Sequence, residues 1–260
     1  MWLNMKKRTV IPLILVVLAF GIVLMAEGIR AQSGERPLPV YWSASILVLI
    51  STLLLRFWSV DEARFAEAVE SSNSAVPDSP LHPQRYLNWL VVAMGVGLIA
   101  TVLIQSNFFL GAGIYLIMQV CLIITFSGIL HVRPRLIWNT PELKRPFLIT
   151  TAFWLLITPL IFILFVYNGT WSLVVAPYVA ALGLMAAFVW LGLGYRKRPL
   201  AFRVLAAFGA ASFVFSDALI GHMVFVNPET PLMLLISPTY VLAIILLSHA
   251  LLAWPDVLRE

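Results

Sequence analysis

The chain has 260 residues, 61% of them hydrophobic and 11% charged, with a formal net charge of +5. Soluble domains hold roughly 45–50% apolar and 25% charged residues, so this composition excludes a water-soluble fold and makes lipid the solvent for most of the chain. At about 20 apolar residues per crossing there is room for seven or eight helices and no separate soluble domain.

In chain order, Lys6-Lys7-Arg8 precedes a first apolar run over 9–29. That run exceeds the roughly 7–15 residues of a secretory signal core, and Ala26-Glu27-Gly28-Ile29-Arg30-Ala31-Gln32 is a poor cleavage site, so it reads as a retained first span. Further apolar runs cover about 40–58, 87–105, 108–130, 147–167, 171–194, 200–226 and 231–254, each near the length needed to cross the hydrocarbon. The longest connection, 59–86, opens on an acidic, alanine-rich stretch in which Val60, Phe65 and Val69 recur at near-helical spacing. This predicts a short amphipathic helix at the interface, a solvated stub extending the second span in preference to a docking element for a partner, followed by flexible loop through Ser71-Ser72-Asn73-Ser74. Ser106-Asn107, Asn168-Gly169-Thr170 and Asn227-Pro228-Glu229-Thr230 are tight connections, making spans three and four, five and six, and seven and eight antiparallel neighbours. Pro159 and Pro238 predict kinks in spans five and eight.

The fold class that follows is all-α: one polytopic membrane domain over 1–260, a bundle of about eight transmembrane helices with both termini cytoplasmic. Of the 17 Lys and Arg residues, only Arg30 and Arg36 fall on the outer side of this plan. Basic residues favour cytoplasmic loops, and one missed or invented span would have put the later clusters on the wrong side. Because the positive charge sits at helix ends, it points to insertion rather than to nucleic acid. The lone Cys121, in an apolar run, excludes a disulfide framework and a thiolate metal site. Phosphate-binding glycine loops, zinc-protease helices, nucleophile elbows and haem cysteine pairs are all missing from the sequence, so no cofactor and no metal are expected.

A carboxylate in hydrocarbon costs at least about 2.5–3.5 kcal/mol, so an acid deep in a span should face the bundle interior and is a functional candidate. Asp217 qualifies: at 1.5 Å per residue it sits about 13 Å below the outer end of span seven. The same arithmetic puts Tyr240 about 13 Å, Gln119 about 16 Å and Tyr178 about 10 Å below the outer ends of their spans. These four groups, with Ser216 beside the acid, predict a polar chamber in which tyrosine and amide side chains hydrogen-bond Asp217. For each Tyr or Gln alone, an interhelical hydrogen bond is the plainer role. Glu27, near the outer end of span one, can snorkel to water or turn into the chamber mouth as a second carboxylate, and the surface reading is favoured. His222 lies about 140° around the helix from Asp217, and His249 lies far along span eight; both read as interfacial.

Several of these residues also resemble a family. Pro177-Tyr178 with Met185-Ala186, then Arg203, the run Gly209-Ala210-Ala211-Ser212-Phe213-Val214-Phe215-Ser216-Asp217, and Tyr240 are similar to the lysoplasmalogenase (YhhN-like) membrane proteins. Arg36-Pro37-Leu38 and Phe109-Leu110-Gly111 extend the resemblance. It implies eight helices and hydrolysis of the vinyl-ether bond of a lysoplasmalogen, with Asp217 as catalytic acid and Tyr240, Tyr178, Gln119 and Ser216 in support. Four positions depart from the family pattern. Met94-Gly95-Val96-Gly97 lacks the acid usual in helix three, Gln119 and Leu122 stand where a histidine and a tyrosine are usual, and no glutamine follows Tyr240.

Three functions remain open from the sequence. One is a hydrolase of a single-chain lipid in, for this insertion pattern, a bacterial inner membrane. Another is a catalytically silent member serving a membrane protein complex as structural subunit or assembly factor. The third is a proton or small-solute carrier built on Asp217.

Overall fold

The computed structural model describes residues 7–34, 37–72, 82–130, 134–227 and 232–259. Among these, eight helices are long and apolar enough to cross a membrane, so the protein is an all-α polytopic membrane bundle. Only helices of this kind satisfy their own backbone polar groups in lipid.

Helix α1 (Lys7–Ser33) is followed by α2 (Leu38–Leu54), whose last turn widens into a π-helical turn, Leu55–Ser59. The short α3 (Glu62–Ser72) precedes α4 (Pro83–Ser106). One residue, Asn107, separates α4 from α5 (Phe108–Ser127): its side chain accepts the Leu110 N–H at 3.0 Å and caps the new helix. The turn α6 (Pro134–Asn139) leads into α7 (Pro141–Ile161). Pro159 has no N–H to continue the hydrogen-bond ladder, and the chain beyond it relaxes into a π-helical turn, Phe162–Val166. Gly169, at φ 84°, turns the chain into a 3-10 segment, Thr170–Val175, ahead of α8 (Ala176–Leu191). Then come α9 (Leu200–Phe225) and α10 (Met233–His249), the latter continued by a 3-10 turn, Ala250–Ala253.

Helices α4 with α5, α9 with α10 and α1 with α2 form the most extensive pairs, and α8 packs between α5, α7 and α9. The α9–α10 contact depends on Gly209: a Cβ there would lie 2.9 Å from the Cβ of Leu246 and 3.0 Å from the Leu247 nitrogen. A small residue at this point lets the two backbones approach, as membrane helix interfaces require. Helices α1, α2, α4 and α7 start before their apolar runs. Helix α4 begins at Pro83 and α7 at Pro141, because polar and proline-rich first turns project into the interface where hydropathy no longer reports the helix.

The connection 59–86 corrects one expectation. Helix α3 is neither an extension of α2 nor laid on the bilayer surface. Val60, Phe65 and Val69 are fully buried inside the protein. Asp61 caps α3 through the N–H groups of Ala63 and Arg64, at 3.1 and 3.2 Å. Next to this cap, the Asp61 N–H donates to Val257 (2.9 Å) and the Arg259 N–H to Ser59 (2.7 Å), stitching the C-terminal segment to the end of α2. Phe65 meets Tyr86 and Trp254 edge to face, with ring centres 5.8 and 6.0 Å away. Arg56 ties α2 to this layer, donating to Glu62 at 2.5 Å and to Asn88 at 2.9 Å. Beneath it Arg198, 1% exposed, lies over the rings of Tyr195 and Trp254 and donates to the Ile129 carbonyl, and burial pulls its guanidinium down to about 10. Helix α3 and the C-terminal turns therefore cap the end of the bundle that carries most of the basic residues. The predicted flexible stretch opened at Ser71, but Ser71 and Ser72 form the last residues of α3; its remainder from Asn73 onward, Arg36, and the Pro228-Glu229-Thr230 turn lie outside the described residues.

Candidate functional site

Asp217 is half-buried on α9, eight residues or about 12 Å below the outer end at Phe225. It faces a small cavity of about 50 Å³ walled mostly by apolar side chains of α4, α5, α7 and the π-helical turn after it, α8 and α9, among them Ile104, Phe162, Val179, Leu182 and Val214. The Tyr178 hydroxyl, two residues into α8, donates to Asp217 Oδ2. Gln119, fully buried on α5, approaches the Tyr178 hydroxyl, but neither of its amide atoms completes a hydrogen bond of ordinary geometry. Asp217, Tyr178 and Gln119 are therefore brought together.

Tyr240 belongs to a neighbouring cluster. Its hydroxyl lies 3.2 Å from Thr101 Oγ1, and the Tyr115 hydroxyl lies 2.9 Å from the same atom. Thr101 itself donates to the Gly97 carbonyl at 2.9 Å, which leaves its oxygen to accept from both tyrosines. The rings of Tyr115, Phe213 and Tyr240 pack edge to face in a triangle, with centres 5.7 to 6.4 Å apart. Tyr115 lines the Asp217 cavity and also a second, larger one of about 270 Å³, to which Thr101 and Tyr240 belong. The predicted single chamber is thus two cavities sharing a wall of Ile104, Phe108, Tyr115 and Ile220.

Ser216 does not join either cavity. It is fully buried and donates to the Ile236 carbonyl at 3.1 Å, so it fastens α9 to α10, because adjacent helical residues point about 100° apart. Glu27 corrects the surface reading. It is 5% exposed, accepts from the Tyr41 hydroxyl at 2.7 Å and faces the Arg30 guanidinium at 3.5 Å. His249 is likewise buried rather than interfacial, held between Ser51 and Ser248 at 2.6 Å each. His222 is at the outer surface, 3.1 Å from the Phe165 carbonyl.

Eight spans around a carboxyl–tyrosine pair at mid-depth define an integral membrane protein with an acid site enclosed in the bundle. Residues 72–251 match the YhhN family, and the chain belongs to it. That stretch contains Asp217, Tyr178, Gln119, Tyr240, Tyr115 and Thr101, whereas Glu27, Arg30 and Tyr41 precede it. No curated protein and no solved structure matches the chain.

Proposed function

We propose that the protein is a membrane-embedded hydrolase that cleaves the vinyl-ether bond of lysoplasmalogen-type lipids and releases a fatty aldehyde. The YhhN family includes lysoplasmalogenases, and one observation carries the reading for this chain: the Asp217 carboxyl, held by Tyr178, faces an apolar cavity at mid-bilayer depth.

With Tyr178 donating to Oδ2, the Oδ1 atom of Asp217 is left to hold the reacting proton. Asp217 transfers it to the vinyl-ether carbon remote from oxygen; the alkene electron pair forms the new C–H bond and the ether oxygen supports the resulting oxocarbenium ion. Water adds to the cationic carbon and its released proton returns to Asp217, giving a hemiacetal. The hemiacetal hydroxyl then loses its proton as the glycerol oxygen leaves and gains one, yielding an aldehyde and a glycerophospho-alcohol. One carboxyl group acts first as acid and then as base, so the absence of an acid at Gly95 or Gly97 does not break the balance. The apolar walls would hold the hydrocarbon chain. Eight apolar spans with basic inner loops suit a bacterial inner membrane.

The test is release of fatty aldehyde from a lysoplasmalogen by the full chain in detergent, native against Asp217→Asn. Activity in the native chain that vanishes in the variant supports the reading. Absence of activity in a folded native chain sinks it in favour of the silent, complex-forming member that the missing helix-three acid suggests.

A further inference from the structure

The larger cavity has two chemically unlike ends. Toward mid-bilayer it is closed by the hydroxyls of Thr101, Tyr115 and Tyr240; toward the outer end it is edged by Arg30, Tyr41 and Gln105. Its volume of about 270 Å³ is far more than the roughly 10–15 Å³ that one water needs.

Arg30 is built into this rim. Glu27, buried one turn earlier on α1, holds the guanidinium Nη1 at 3.5 Å, and Tyr41 from α2 fixes the other carboxylate oxygen at 2.7 Å. This pins the arginine with a single contact and leaves its remaining N–H groups without a partner among the described residues. A guanidinium offers five donors in a planar fork that matches phosphate oxygens, and an oriented one binds them at less entropic expense. Ser45 and Ser237 add hydroxyls along the wall. Part of the apolar wall, Ile104, Phe108 and Ile220, is shared with the cavity that Asp217 faces.

We propose that this cavity is the headgroup site for a single-chain phospholipid: Arg30 takes the phosphate ester, and the glycerol backbone descends past Ile104 and Phe108 toward Tyr115. The proposal rests on the hydrolase reading for the identity of the lipid, but binding itself needs no turnover. It explains why Arg30, on the outer side, is clamped over a cavity rather than splayed into water. Arg30 and Tyr41, on α1 and α2, precede the stretch matched to the family, whereas Gln105, Thr101, Tyr115 and Tyr240 lie within it.

The experiment measures binding of a saturated 1-O-alkyl lysophosphatidylcholine, which has no vinyl ether to cleave, to the full chain in detergent. Monoacylglycerol, glycerophosphocholine and inorganic phosphate serve as competitors. The native chain should bind the lysophospholipid, with monoacylglycerol weaker by about tenfold or more, the loss expected for one charge-assisted hydrogen bond. Arg30→Gln should weaken lysophospholipid binding by a similar factor and Arg30→Lys by less. Equal affinity for monoacylglycerol, competition by inorganic phosphate as strong as by the lipid, or unchanged binding in Arg30→Gln overturns the proposal. If Arg30→Gln fails to fold, a lysophospholipid with a photoactivatable headgroup is crosslinked to the native chain. Adducts at the outer ends of α1 and α2 support the site, and adducts confined elsewhere overturn it. Aldehyde release with no effect of Arg30 on binding sinks this inference alone. Arg30-dependent binding with no aldehyde sinks the hydrolase reading alone.

Discussion

The Tyr178 hydroxyl donates to Oδ2 of Asp217, which leaves Oδ1 outside this hydrogen bond. Tyr178→Phe removes that donor without changing the ring, so the chain should fold as before while the carboxyl loses its orientation. A hydrogen bond to a charged group is worth about 1.5–3 kcal/mol, so aldehyde release should fall by roughly tenfold to a hundredfold, measured at saturating lipid against the native chain. A rate unchanged by the substitution would remove Tyr178 from the site. Asp217, Tyr178 and Gln119 were legible in the sequence because a polar group at mid-span is conspicuous against hydrocarbon. Thr101 gave no such signal, since a threonine within a helix bonds its own backbone, here at Gly97; Tyr115, seven residues below the start of α5, lies as deep in its span as Tyr178, so the same depth arithmetic would have marked it. Glu27 was misread for a related reason. Near a span's end an acid can reach water, and what buries it is Tyr41, a partner on another helix whose position no local pattern reports.

At the scale of elements, the inner cap combines apolar and ionic contacts. The spacing of Val60, Phe65 and Val69 announced an apolar face, but whether that face meets lipid or protein depends on the C-terminal turns some 190 residues away in sequence. Arg56 donates to the Glu62 carboxyl and holds it below its ordinary value of 4.5; Gln84 adds a bond at 2.9 Å. A carboxyl lowered in the folded state contributes stability that is fully present above its unfolded value and is lost as pH falls through the folded value. The cap should therefore loosen below about pH 4.5 while the spans, whose contacts are mostly apolar, stay packed. Fluorescence of Trp254, which touches Phe65 and Phe202 in this layer, should report an acid transition in a chain carrying it as the reporting tryptophan. Glu62→Gln should flatten that transition; an identical transition in the variant would show that another group controls the cap.

For the whole molecule, eight spans place both ends of the chain on one face, and the charge distribution says which. The number of spans was readable because each apolar run is long enough to cross and each connection changes composition. The way the spans pair was readable only where a tight connection such as Asn107 forces neighbours together, since the α8 contacts with α5 and α9 join segments far apart in sequence. Orientation matters for function as well. With the basic face inward, the Arg30 rim opens at the outer leaflet and the α3 cap at the inner surface; reversed, the lipid would have to be supplied from inside. Cys121 is the chain's single cysteine and is buried, so Cys121→Ala gives a cysteine-free background at small cost. Ser33, exposed at the outer end of α1, and Ser71, exposed at the end of α3, can each be replaced by cysteine in that background. A membrane-impermeant maleimide added to intact cells should label Ser33→Cys and reach Ser71→Cys only after permeabilisation. The opposite pattern would invert the bundle and move the proposed headgroup site to the inner leaflet, where its lipid would come from the cytoplasmic pool.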